Sequence, residues 1–160
     1  KRWSYKGRLS DSASPAFGKN LVLAPGTDTV ALTGGEEKTE PRAALKTNKL
    51  RSTYATPLYY QDRIYNVNTA NVLVCIDPAD GKVLWQERVR GTISASPVAA
   101  EGKIYILSEE GDASVVRVGD KPETLGVNKL PGTFLATPAI ADGAIFLRSD
   151  EHLWCIGANK

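Results

Sequence analysis

The sequence predicts an all-β protein, a β-propeller with about four sheets of four short antiparallel strands each. A tripeptide of alanine, a hydroxyl residue and proline returns four times, at Ala13-Ser14-Pro15, Ala55-Thr56-Pro57, Ala95-Ser96-Pro97 and Ala136-Thr137-Pro138. The prolines are 42, 40 and 41 residues apart, and a fixed period of this length indicates an array of one supersecondary unit. The run 104–107 is apolar in succession, so we expect its sheet to require cover on both sides.

Each tripeptide is followed by a predicted hairpin of two strands. Five residues after each proline stands a residue that favours turns, namely Asn20, Asp62, Gly102 and Gly143. Shortly afterwards come pairs of β-branched, aliphatic or aromatic residues that suit a strand, namely Val22-Leu23, Ile64-Tyr65, Ile104-Tyr105 and Ile145-Phe146.

A third and a fourth strand complete the unit. Third apolar runs occur at 29–32, 72–76, 114–118 and 153–156. The polar tracts before them, such as 68–71, 108–112 and 149–152, can turn a hairpin but are too short for a helix. A fourth run lies at 83–89, with weaker counterparts at 42–46 and 124–129. Four short antiparallel strands in about 40 residues form the blade of a β-propeller.

The repeats divide the chain into one propeller section over residues 1–160. The units are 1–11, which holds an outer strand only, then 12–51, 52–92 and 93–133, and finally 134–160, which stops after its third strand. Two arrangements fit these units. Either the first strand closes the last unit to give a four-bladed ring, or the chain is part of a larger ring of seven or eight blades.

A motif at the end of the second unit carries a family resemblance. From Cys75 to Trp85 the chain reads Cys-Ile-Asp-Pro-Ala-Asp-Gly-Lys-Val-Leu-Trp. This resembles the tryptophan-docking motif of the quinoprotein-like (PQQ-repeat) β-propeller family, with matches at Asp77, Gly81, Lys82 and Trp85. In that family the indole packs between neighbouring blades and the residues before it turn the chain into the outermost strand.

Trp3 extends the resemblance to the start of the chain. It precedes Pro15 by 12 residues, as Trp85 precedes Pro97, so we expect it to occupy a docking position in an outer strand. In two other units Leu45 and Gly126 stand at the position of the docking tryptophan. The full motif occurs once.

The resemblance implies a function as well as a fold. We identify the chain with the non-catalytic branch of the family, similar to the propeller lipoprotein of outer-membrane assembly, which binds a partner through loops on one face. This implies an interaction scaffold for protein or glycan, periplasmic or secreted, without a cofactor. The alternative is a section of a PQQ-dependent alcohol or sugar dehydrogenase, using PQQ and calcium, whose catalytic blades lie outside this chain.

The residues themselves predict no catalytic, cofactor-binding or metal site. A quinone dehydrogenase of this family is expected to have adjacent cysteines, whereas Cys75 and Cys155 stand two units apart, too far for a disulfide, and we expect both to be buried. The only histidine, His152, lies in a predicted turn without a nucleophile beside it. The carboxylates of the 109–112 tract lack the alternation of a calcium loop.

The remaining expectations concern partners. The net charge is +2 and no nucleic-acid motif accompanies the basic residues, while no apolar run is long enough to span a membrane. An open arc exposes two apolar blade faces, which predicts pairing with missing blades or with a second copy. Loops on one face of the ring form the candidate binding face, with Asn68, Asn71, Arg90, Thr92, Glu109, Asp112, Arg148, Asp150 and Glu151.

Overall fold

Fifteen strands form four separate sheets in the computed structural model, which describes residues 3–34 and 40–157. Blade 1 comprises β1 (Ala16–Gly18), β2 (Leu21–Ala24), β3 (Thr29–Thr33) and β4 (Arg42–Thr47). Blade 2 comprises β5 (Leu58–Tyr60), β6 (Arg63–Val67), β7 (Val72–Ile76) and β8 (Val83–Arg88). Blade 3 comprises β9 (Val98–Ala100), β10 (Lys103–Leu107), β11 (Asp112–Arg117) and β12 (Glu123–Lys129). Blade 4 comprises β13 (Ala139–Ala141), β14 (Ala144–Arg148) and β15 (Leu153–Gly157).

Each blade is an antiparallel meander in which strands follow one another in chain order, so the prediction of an all-β propeller section is confirmed. The first hairpin of each blade turns at the predicted position. In blade 2 both turn residues, Gln61 and Asp62, have positive φ values of 47° and 54°. This is the backbone of a type I′ turn, which matches the twist of the strands on either side.

Neighbouring blades pack face to face through apolar seams. The seam between blades 1 and 2 centres on Leu23, Ala31 and Ile64, and that between blades 2 and 3 on Tyr65 and Ile104. A third seam, between blades 3 and 4, centres on Leu107, Phe134 and Leu147. Both faces of the middle blades are therefore buried, which is why their strands are apolar in succession.

The repeated tripeptides form a hydrogen-bond ladder from blade to blade. The backbone N–H of Ser14 donates to the hydroxyl of Thr56 (3.0 Å), that of Thr56 to Ser96 (2.9 Å), and that of Ser96 to Thr137 (3.1 Å). The hydroxyls of Thr56, Ser96 and Thr137 thus each satisfy a backbone donor of the preceding blade. The ladder explains why the second position of the tripeptide is always serine or threonine.

The docking motif turns the chain into β8. The Asp77 side chain accepts from the Ala79 N–H (2.8 Å), the Asp80 side chain accepts from the Lys82 N–H (2.9 Å), and Gly81 adopts a φ of 74°. Trp85 is 7% exposed, and its ring lies 5.6 Å from that of Tyr65. The Trp85 side chain lies in the seam between blades 2 and 3.

The seam between blades 3 and 4 lacks this indole. Gly126 stands at the corresponding place in β12, paired with Val115, and a Cβ added there would meet nothing within 4 Å. A cavity of about 330 Å³ lies in the seam, lined mainly by apolar side chains that include Tyr105, Val115 and Leu147. Glycine at the docking position therefore leaves this seam incompletely filled.

The blade 4 end of the arc exposes a blade face. On blade 4 Leu153 is 72% exposed, and Cys155 is exposed as well. The prediction that Cys155 is buried is wrong, because no blade formed by the described residues covers the face of β15 on which it lies. Cys75, the equivalent residue of blade 2, is buried because blade 3 covers it.

The N-terminal residues lie against blade 1 instead of closing the ring. Trp3 and Tyr5 pack on Ala24, Val30 and Leu32. Residues 3–11 form no strand, and their single bridge joins Leu9 to Gly26. Because no pairing joins them to β15 in the described part of the chain, the four-bladed closure does not form. Within the same residues no helix is long and apolar enough to cross a membrane.

Candidate binding face

Loops from two sources meet on one face of the arc. One set joins each blade to the next, and the other joins the second to the third strand within a blade. Backbone hydrogen bonds connect the two sets: the N–H of Glu109 donates to Thr92 O (2.8 Å), and that of Asp150 donates to Thr133 O (3.0 Å). The sheets therefore fix the position of the loops, as in many binding sites that a rigid scaffold presents.

Side-chain carboxylates strengthen the same connection. The Glu110 carboxylate accepts from the Thr92 N–H (2.9 Å), and the Asp150 carboxylate accepts from the Thr133 N–H (3.1 Å). The bond from Thr92 is the main reason that the pKa of Glu110 falls to about 2, and the bond from Thr133 likewise lowers the pKa of Asp150. Hydrogen bonds to an ionised carboxylate favour the charged form, so both groups carry negative charge at neutral pH.

A groove of about 110 Å³ opens between the loops of blades 2 and 3. Tyr54 stands at its edge and is 54% exposed. Val67 and Ile93 contribute apolar surface. The polar lining comes from loop residues of both blades, namely Ser52, Thr53, Asn68, Thr69, Asn71, Thr92, Ser94 and Glu109.

The groove brings together four of the nine residues predicted for the binding face: Asn68, Asn71, Thr92 and Glu109. Asn68 shapes its own turn, because its side-chain oxygen accepts from the N–H groups of Ala70 (3.0 Å) and Val72 (3.2 Å). The Glu109 carboxylate accepts from the Ser94 hydroxyl.

The other five predicted residues lie outside this groove. Asp112 forms an ion pair with Lys129 across β11 and β12 (3.3 Å). Asp150 holds the loop before blade 4, as described above. Arg90, Arg148 and Glu151 are exposed.

Tyr54 and Ser94 are groove residues that the sequence analysis missed. Both immediately precede the alanine of a repeated tripeptide, and Leu135 holds the same place before blade 4, where it is 60% exposed. For Tyr54 the signal is a large aromatic residue next to a repeated loop motif, whereas nothing in the sequence marks Ser94.

The two cysteines of the described residues are not the adjacent pair expected of a quinone dehydrogenase. Cys75 and Cys155 lie on different blades, and Trp154 packs in the seam between blades 3 and 4. Across residues 3–34 and 40–157, no group of three or more His, Cys, Asp or Glu side chains is placed to hold a metal ion.

The four antiparallel blades and the loops on one face of the arc are those of a section of a PQQ-repeat β-propeller. The family model described as outer membrane protein assembly factor BamB matches residues 30–121, more than half of the chain. The chain therefore belongs to this family. No curated protein matches the chain.

Solved structures share the fold at low sequence identity. BamB from Moraxella catarrhalis superposes with a TM-score of 0.78 at 16% identity, over 98% of this chain and 49% of that one. The quinohemoprotein alcohol dehydrogenase ADHIIG from Pseudomonas putida HK5 gives 0.65 at 16%, over 91% and 29%. The computationally designed Ika4 protein gives 0.76 at 13%, over 98% of both chains. The chain thus spans about half the length of the BamB structure.

Proposed function

We propose that this chain is part of a non-catalytic propeller scaffold that binds a loop of a partner protein in the groove beside Tyr54. The observation that carries the proposal is the exposed Tyr54 ring beside an apolar floor of Val67 and Ile93. Tyrosine is among the residues that dominate binding energy at protein interfaces.

The size of the groove supports a protein ligand. Small-molecule and cofactor sites usually have volumes of about 300–1,000 Å³, whereas this groove has about 110 Å³. A space of this size suits a single side chain from a partner's loop. The Glu109 carboxylate in its lining favours a Lys or Arg next to that side chain. The scaffold role and a periplasmic or secreted location agree with the description of the family.

The arc also requires completion. The exposed face of blade 4 is apolar at Leu153, and surfaces of this kind on repeat arrays are normally capped or paired. We therefore propose that further blades, in this polypeptide or in a second one, complete a ring around the same axis.

A phage-displayed random peptide library tests the proposed function. Peptides selected on the 160-residue chain are expected to lose at least about tenfold in affinity on Tyr54→Ala. Leu135→Ala is the matched control, because Leu135 has the same place in its repeat but lies outside the groove. Equal affinity for the two variants, or selective binding of the chain to a glycan array, would overturn the proposal. So would dye-linked alcohol oxidation after addition of PQQ and calcium.

A further inference from the structure

The seam between blades 2 and 3 is filled by an indole. The Trp85 ring lies 5.6 Å from the Tyr65 ring, and its backbone pairs with that of Cys75 on the neighbouring strand. Blade 3 contributes Ile104 and Val116, which are paired with each other. All five residues belong to one buried apolar cluster. This seam shows which residues surround an indole in the fold.

Blade 3 presents the corresponding residues to blade 4. Tyr105 and Val115 are paired across β10 and β11, as Tyr65 and Cys75 are paired across β6 and β7. Gly126 pairs with Val115 at the position of the docking tryptophan. The strands and the aromatic residue are therefore repeated, whereas the indole is not.

Blade 4 supplies the opposite wall of the cavity between blades 3 and 4. Ile145 and Ile156 are paired across β14 and β15, in the places that Ile104 and Val116 have in blade 3. Together with the tyrosine and valine of blade 3, they line the cavity of about 330 Å³. The cavity thus has the walls that surround the indole in the preceding seam.

The size of the cavity suits a small molecule. Sites for small ligands usually have volumes of about 300–1,000 Å³, and an apolar cavity of about 150 Å³ is large enough to bind benzene. A volume of about 330 Å³ therefore accommodates a ring system of two fused rings.

The lining defines the chemistry of the ligand. It is mainly apolar, and no charged residue belongs to it in the part of the chain that the structure describes. Because burying an unpaired charge is costly, an uncharged ligand is favoured. The Tyr105 ring offers an aromatic partner, and aromatic pairs gain free energy beyond the area that they bury. These properties favour an uncharged aromatic compound.

We propose that the seam between blades 3 and 4 binds an uncharged, planar aromatic compound of about the size of indole. The ligand lies between the pair Tyr105 and Val115 and the pair Ile145 and Ile156. Ile156 is 44% exposed, so the ligand reaches the cavity from solvent between the two blades. This site goes beyond the proposed function, because it lies between other blades than the Tyr54 groove and takes a different class of ligand.

Methyl NMR of the 160-residue chain, titrated with indole, tests the site directly. We expect the methyl resonances of Val115, Ile145 and Ile156 to shift with a Kd of about 0.1–1 mM. Those of Ile104 and Val116, in the seam that Trp85 fills, should stay unchanged. The absence of shifts up to about 5 mM indole would overturn the proposal, as would equal shifts in both seams.

Two substitutions of Gly126 provide a matched pair. Gly126→Trp is expected to weaken indole binding at least about tenfold, because the chain's own indole then occupies the cavity. Gly126→Ala should leave the Kd within about twofold, since a Cβ added there meets nothing within 4 Å. Indole binding that survives Gly126→Trp would place the ligand elsewhere. The titration of the unaltered chain decides the question if Gly126→Trp does not fold.

A pair of ligands tests the preference for aromatic compounds. Phenol and cyclohexanol have similar sizes, and only phenol is planar and aromatic. We expect phenol to bind about two- to tenfold more tightly, and Tyr105→Leu to remove this preference. Equal binding of the two compounds to the unaltered chain would overturn the assignment to aromatic ligands. None of these readouts involves peptide binding at Tyr54, so failure of one proposal is distinguishable from failure of the other.

Discussion

The indole Nε1 of Trp85 donates to the carbonyl oxygen of Gly119 across the seam between blades 2 and 3, over 3.0 Å. The same oxygen accepts from the Arg63 guanidinium, which also forms an ion pair with Asp120 (2.9 Å). One carbonyl group therefore connects an outer strand and an inner hairpin of blade 2 to the loop after β11.

We expect Trp85→Ala to lower the free energy of unfolding by about 3–5 kcal/mol, because it removes a large buried side chain from the seam. Urea denaturation followed by circular dichroism measures the change. His152→Ala serves as the control: this residue is exposed, and we expect a change within about 0.5 kcal/mol. Equal effects of the two substitutions would show that the indole does not hold the seam.

The strands were predictable because they recur, and the docking turn because it resembles a family motif, whereas the groove was not predictable. The repeated tripeptide and the turn formers have the same local role in each unit, so comparing the units shows which residues matter. Tyr54 occurs once, and its exposure depends on how the loops of two blades meet. The exposure of Cys155 likewise depends on whether a further blade covers β15, which the sequence around Cys155 does not indicate.

A buried asparagine joins blade 2 to the loop before it. Asn66 is fully buried, and its amide nitrogen donates to the carbonyls of Leu50 (3.1 Å) and Ala55 (3.2 Å). Asn66→Ala leaves both oxygens unpaired, so we expect a loss of about 3 kcal/mol of stability. Asn128→Ala, at an exposed position, provides the comparison in urea denaturation. A tolerated Asn66→Ala would mean that water replaces the amide.

The Glu110 carboxylate is expected to make stability depend on pH. Its pKa of about 2 in the folded chain lies below its usual value of 4.5, so its contribution is fully present above pH 4.5 and is lost as the pH falls towards 2. Melting temperatures measured across this range should show wild type above Glu110→Gln at pH 7, with the difference shrinking below pH 4.5. A difference that stays constant with pH would contradict this account.

Filling the seam between blades 3 and 4 is expected to stabilise the chain. Gly126→Trp places an indole where the cavity of about 330 Å³ lies, and we expect a gain of about 0.5–2 kcal/mol, as for other cavity-filling changes. Gly126→Ala distinguishes the two possible causes of a gain, the filled seam and the strand backbone, because it adds a Cβ without filling the cavity. If both variants gain equally in thermal denaturation, the effect comes from the strand backbone and not from the seam.

The tripeptide ladder has a consequence for how such chains can vary in length. Every link joins the second residues of two successive tripeptides, one through its backbone N–H and the other through its hydroxyl, so each link of the ladder has the same chemistry. Duplication or deletion of one 40-residue unit would leave the remaining links of the ladder able to form. The ladder itself therefore does not fix the number of blades, whereas the side chains of each seam, such as Trp85, differ from one junction to the next.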